Sequence, residues 1–456
     1  MVQTTFSVGN AGSLATVLAD IGSGTDAAIN TAYTITMTAG VLLTAGVTLE
    51  AGSSVMLEGT FPFIVPAFAV TGTVITDLDF TGTITLDNGV LNNPALIITN
   101  GTTIAGLFSG SVLGTTGDAG DNAINSGVIQ SNGTDAAIGF ATGTVQNGWN
   151  GPQSALISGV PAGITINGSG LMRNGGTVIA SGPTSVAVFL GSGTIDNGQI
   201  GDTGALMSGG QNGVEISGAG VVINDGTIAG VTSDAVYLGS GLVTNGQIGV
   251  ESAWIEGGPT GNGVSINTGL GTVANYGSII GGGANGVYLA FGGTITNGAP
   301  SDPAALVNGA GQGVLLLAPG SLLNYGTVQA NGSDTTQAVI GAFFDAGGTI
   351  ENLATSALIG GLEWGAVVEN GAGFVSNLGT IQAAAAAGLG VDLTAGGTVI
   401  NSLNATISGP YDGVRVSAGA GALVLNDGTI QGAVGVDFQS GLTQAAGTLT
   451  NDGLIA

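Results

Sequence analysis

The sequence predicts an all-β fold: a single-stranded parallel β-helix (β-solenoid) of about 25 residues per coil, with a short N-terminal capping helix. Three observations predict it. From Asn174 onward the pattern Asn-x-Gly-x-Ile, or a close variant, recurs about every 25 residues. Glycine supplies 89 of the 456 residues and is interleaved with β-branched Val, Ile and Thr, which suits short strands between tight turns. Within one repeat, Asn224 to Thr244, three strand-sized pieces are each bounded by Gly, Ser or Asn, as one triangular coil requires.

Residues 1–30 read as a cap made of a strand and a short helix. Ser13 is placed as the helix N-cap, and Leu14, Val17, Leu18 and Ile21 follow at i, i+3, i+4 and i+7, one apolar stripe. Such a helix would cover the open end of the first coil, which otherwise exposes apolar core and unpaired backbone. Residues 31–120 read as irregular first coils, in which Tyr33, Ile35 and Met37, then Val47 and Leu49, then Val55 and Leu57 fall at alternate positions on one strand face, each group separated by Gly-containing turns. Residues 121–456 read as the regular repeats.

Composition removes much chemistry. The chain has no His, no Cys and no Lys, and its positive side chains are Arg173 and Arg415, against 28 Asp and Glu. A Ser-His or Cys-His nucleophile pair, a zinc site of the usual ligands, a disulfide and a P-loop all lack their essential residues. A net charge of −26 repels phosphate, so nucleic acid and anionic membranes are not expected partners. The most continuous apolar stretch, Phe61 to Val70, contains Pro62 and Pro66 and is too short to span a bilayer, so no transmembrane segment is expected. Residues 1–4 carry neither the basic region nor the apolar core of a secretory signal, so export is expected by another route or after removal of a leader.

The repeats Thr194-Ile195-Asp196-Asn197-Gly198-Gln199-Ile200 and Val221-Val222-Ile223-Asn224-Asp225-Gly226-Thr227-Ile228, with Gly-Val-x-Leu between them, resemble the passenger repeats of bacterial autotransporter and haemagglutinin-type adhesins. The likeness covers about residues 120 to 456. It implies a right-handed β-helix, exported and working in the extracellular space or at the bacterial cell surface.

Four sets of residues stand out. Asn174, Asn197, Asn224, Asn245, Asn275, Asn297, Asn324, Asn352, Asn377, Asn401, Asn426 and Asn451 are expected to stack as a structural ladder, each amide bonding the next, with Asn in the left-handed conformation at a corner. In the Gly-Val-x-Leu strand, Val and Leu should face inward and x outward. Read so, Tyr288, Leu315, Ile340 and Val368 form an outer apolar stripe suited to assembly, and Asp392, Arg415 and Asp437 form an ion-pair ladder. In Asp77-Leu78-Asp79-Phe80 the two carboxylates would share an outer face about 7 Å apart, a spacing that suits a calcium ion or an inverting glycosidase pair.

No His, Arg or Lys accompanies these acids as in polysaccharide-cleaving β-helix enzymes, and no other cofactor is indicated. Trp149, Trp254 and Trp364 offer surfaces for sugar rings, with Glu251, Glu256 and Glu363 close to two of them. The expected function is non-enzymatic and structural: a stiff extracellular solenoid acting as a surface adhesin, or as a self-assembling subunit of a filament, surface layer or biofilm matrix. Its partners would be other copies of itself, joined head-to-tail or laterally, and cell-surface or glycan ligands. The alternative is a carbohydrate-binding or carbohydrate-degrading β-helix using surface carboxylates.

Overall fold

The structure, a computed structural model, describes residues 3–456 apart from 29–30, 39–40, 43–53, 59–62, 71–72, 77–79, 87–89, 94–96, 100–101, 105–106, 115–120, 126, 132–135, 152, 201–203, 333–337, 418–420 and 440–446. The chain divides into two compact units, Met1–Ser217 and Gly218–Ala456. Both are right-handed parallel β-solenoid with about 25 residues per turn.

The first unit opens with the strand Thr5–Val8, which pairs in parallel with Ala32–Met37. Between them lies the helix Ala11–Ser23. Its N-cap is Asn10 and not Ser13. Asn10 Oδ1 accepts from the Ser13 backbone N–H at 2.9 Å, and Ser13 Oγ accepts from the Asn10 N–H at 3.4 Å, a reciprocal box that places the cap three residues before Ser13. Leu14, Leu18 and Ile21 are fully buried, with Phe6, Val8, Tyr33 and Ile35 also in the core. The segment Phe63–Val70 is a strand, and among the described residues no helix is long and apolar enough to cross a membrane. One antiparallel pair, Ile97–Thr99 with Thr102–Ile104, interrupts the parallel pattern. Two strands of this unit are long, Ala162–Asn174 and Val186–Asn197.

The second unit is more regular, each turn contributing three strands. One sheet holds strands that end on Asn, such as Gly293–Asn297, Gly320–Asn324 and Gly348–Asn352. A second holds Leu306–Gly309, Thr327–Ala330 and Leu358–Gly361. The third holds Gln312–Leu316, Ile340–Phe344 and Trp364–Val368. Because every strand lies directly over its counterpart one coil away, like residues stack. Ile295, Leu322, Ile350, Val375 and Val399 form one buried column, and Val307, Val328, Ile359, Ile381 and Ile407 another. Apolar burial along these columns is the main stabilising term, at about 25 cal/mol per Å² removed from water.

Glycine fixes how closely coils approach. Gly293 has φ 135°, and a Cβ there would lie 1.9 Å from the Gly271 carbonyl oxygen of the preceding coil. Neither the backbone conformation nor the space admits a side chain.

Candidate functional site

Each unit carries a hydrogen-bonded row of Asn side chains. In the first, Asn125 donates to Asn147 Oδ1 at 2.7 Å, Asn147 to Asn174 at 2.8 Å and Asn174 to Asn197 at 2.8 Å. In the second the chain of amides runs Asn224, Asn245, Asn275, Asn297, Asn324, Asn352, Asn377, Asn401, Asn426, Asn451, with each step between 2.6 and 2.9 Å. The other amide proton reaches backbone carbonyls: Asn324, for example, also lies within hydrogen-bonding distance of the Gly326 and Leu358 oxygens. These side chains are buried beneath the turn, apart from the exposed Asn451. They do not adopt the left-handed conformation expected of them. Among the described non-Gly residues, positive φ occurs at Asn150, Asn370 and Asn404, and where a glycine directly follows a ladder Asn the positive φ falls on that glycine, as at Gly198, Gly246 and Gly298. An Asn whose side chain points into the core cannot also turn the corner, and glycine makes that turn with less steric cost. Asn125 and Asn147 belong to the row although the recurring pattern was read only from Asn174. Asn125-Ser126-Gly127-Val128-Ile129 carries the same signal.

The apolar stripe needs correcting at two positions. The backbone column containing Tyr288 continues through Leu315, Phe343 and Val367 to Asp392, Arg415 and Asp437. Ile340 lies three residues before Phe343, opposite Gln312 and Trp364, and is buried. Val368 points into the core in the column of Phe344 and Leu393. The reason is local: in these two coils Gly-Val-x-Leu is written Gly341-Ala342-Phe343-Phe344 and Gly365-Ala366-Val367-Val368, so a reading that sought Val before x slipped. Tyr288, Leu315 and Phe343 are half-buried, and burial raises the Tyr288 phenol above its ordinary range.

Asp392, Arg415 and Asp437 do stand in register on adjacent coils. The guanidinium engages both oxygens of Asp392, Nε donating to Oδ1 at 3.0 Å and Nη2 to Oδ2. Asp392 is buried, so this fork neutralises a carboxylate that water cannot reach. Arg173, the other cation, likewise pairs with Asp196 at 3.3 Å and lies 5.7 Å from the Trp149 ring centroid.

Asp77 and Asp79 lie outside the described residues. Among those that are described, no group of three or more Asp or Glu is arranged to hold a metal ion. Trp254 is 39% exposed, and its Nε1 donates to Glu256 at 3.0 Å.

A concavity lies on the third sheet of the second unit. It is a cleft of about 470 Å³ whose lining includes Ile340, Phe343, Trp364, Val367, Glu369 and Arg415. Three backbone columns meet there: Gln312, Ile340 and Trp364; then Phe343, Val367, Asp392 and Arg415; then Asp345, Glu369 and Thr394, which follow successive strands. Burial raises the Glu369 carboxyl above the usual range, Asp392 and Asp345 add like charge, and Arg415 opposes them. Asp412, one coil beyond Leu389, is raised in the same way by burial and by Asp437. The Trp364 indole N–H is buried without a hydrogen-bond partner.

Compared with known proteins, the chain matches no family model, no curated protein and no solved structure.

Proposed function

We propose that this chain is a non-enzymatic structural protein whose β-solenoid units act mechanically outside the cell, as a surface adhesin or as a subunit of a filament, surface layer or matrix. The observation that carries this reading is the continuity of the hydrogen-bonded rows. In the second unit ten Asn side chains join coil to coil over the parallel backbone ladders. Such a stack resists bending because every coil is held to its neighbour by backbone bonds, side-chain bonds and stacked Val, Ile and Leu. A net charge of −26 keeps copies apart until a cation or a specific contact brings them together.

A second reading, a carbohydrate-binding surface, is favoured by Trp254, whose exposed ring and Glu256-bonded edge match what a sugar face requires. Negative-stain electron microscopy with and without millimolar calcium, together with retention on glycan-coated and cell surfaces, separates the two. Fibres or sheets support assembly, and separate particles held on a cell surface support adhesion. Particles that neither assemble nor bind any surface would remove the structural proposal. Release of reducing ends from a polysaccharide would replace it with the enzymatic alternative.

A further inference from the structure

We propose that the cleft between Phe343, Trp364 and Glu369 binds an alkylammonium group, the aliphatic body lying on the aromatic and aliphatic wall and the cation on the Glu369 carboxylate. This goes beyond the mechanical role and does not depend on whether copies assemble.

Shape and charge argue together. Ile340, Phe343, Trp364 and Val367 give the cleft an apolar wall, and its volume of about 470 Å³ accommodates a short alkyl or lysine-length chain. The polar end is not neutral. Arg415 is engaged by its fork with Asp392 and offsets Glu369 only in part, so the lining holds two carboxylates, Asp392 and Glu369, against one cation. Asp345 sits one coil from Glu369 and accepts from Asn370 at 2.7 Å, adding negative field without adding a cation. A half-buried carboxylate beside like charges favours whatever supplies a positive charge. An anionic or neutral ligand would leave that charge unbalanced.

Phe343 and Trp364 supply the apolar area on which the aliphatic body of the ligand lies. No side chain of a second copy of this chain can be the donor. The sequence contains no Lys, and its two arginines are each paired with an Asp of a neighbouring coil. The ammonium therefore comes from a different molecule, either a free amine or a lysine side chain of a polypeptide.

Titration calorimetry on the full chain at fixed ionic strength tests this with n-hexylammonium, hexanol, hexanoate and an N-acetylated, C-amidated lysine. The expected result is saturable one-site binding of hexylammonium, with hexanol and hexanoate at least tenfold weaker. Binding of hexylammonium but not the blocked lysine identifies a free amine as the ligand, and binding of the blocked lysine identifies a polypeptide side chain. Glu369→Gln should weaken hexylammonium about tenfold, while Glu351→Gln, on another sheet, should leave it unchanged. Should Glu369→Gln perturb folding, Phe343→Ala provides the second variant, with a similar loss expected from the wall. Absence of binding, equal affinity for hexanol, or equal weakening by Glu351→Gln and Glu369→Gln would overturn the assignment, the last showing only general attraction to an acidic surface.

Discussion

At the residue scale, the organising group is a buried amide whose bonds are all internal. Asn324 accepts from Asn297 at 2.9 Å and donates to Asn352 at 2.8 Å, with the Gly326 and Leu358 carbonyls within reach. Removing it takes away the acceptor of one Asn297 amide proton and the donor to Asn352 Oδ1, and leaves a small cavity. Asn324→Ala is therefore expected to destabilise the second unit by about 2–4 kcal/mol in urea unfolding. Asn324→Asp should cost more than Asn324→Ala, because a carboxylate cannot donate to Asn352 and would be ionised in the core. The row was legible in the sequence because an Asn two residues before a turn glycine repeats with the coil. Its orientation was not, since the pattern says where an Asn sits and not which residue carries the left-handed turn. Arg415 and Asp392 were legible as a pair because both occupy the same position of Gly-Val-x-Leu. The bidentate engagement and the burial of Asp392 were not, because they depend on how neighbouring columns crowd the pair.

At the element scale, strand register is pinned by glycines that allow two coils to touch. Gly341 faces the Gly365 carbonyl, and a Cβ at Gly341 would come within 2.5 Å of that oxygen. The column Gly313, Gly341, Gly365, Gly390, Gly413 fixes which residue of each strand turns inward, and attending to it would have placed Phe343 and Val367 in the outer column instead of Ile340 and Val368. The cleft was illegible for a related reason, since its lining comes from five coils between Gln312 and Arg415 and no local motif unites them. The helix was read in the right place, but its start was missed because Asn10 caps through Ser13, and Ser13 itself is the more familiar capping signal. Gly293→Ala should lower stability by at least about 2 kcal/mol, since Ala must adopt φ near 135° against the Gly271 backbone. Thr294→Ala, one residue on and facing outward, should change stability by less than about 0.5 kcal/mol, and chemical denaturation of both variants checks the contrast.

At the scale of the whole molecule, charge governs conditions. Burial raises the carboxyls of Asp234, Glu369 and Asp412 in the folded chain, although hydrogen bonds from Asn262 partly offset the effect at Asp234. When a folded-state carboxyl has a raised pKa, the folded chain holds its proton to higher pH than the unfolded chain does, so stability falls as pH rises from the ordinary carboxylate range to the raised values. Self-repulsion from a net charge of −26 acts in the same direction. The melting temperature should therefore be higher at pH 5 than at pH 8, and added salt should narrow the gap by screening the repulsion. Thermal scans at both pH values, at low and high ionic strength, check this.

The mechanical role is tested most directly by stretching single full-length chains between their termini. Peeling one coil of about 25 residues releases about 80 Å of contour length, allowing for the short rise between coils. The account predicts high, repeated force peaks with increments near this value or small multiples of it, and weaker peaks for Asn324→Ala. Extension at low force without regular steps, or a force profile unchanged by Asn324→Ala, would contradict the claim that the hydrogen-bonded coils form a mechanical scaffold.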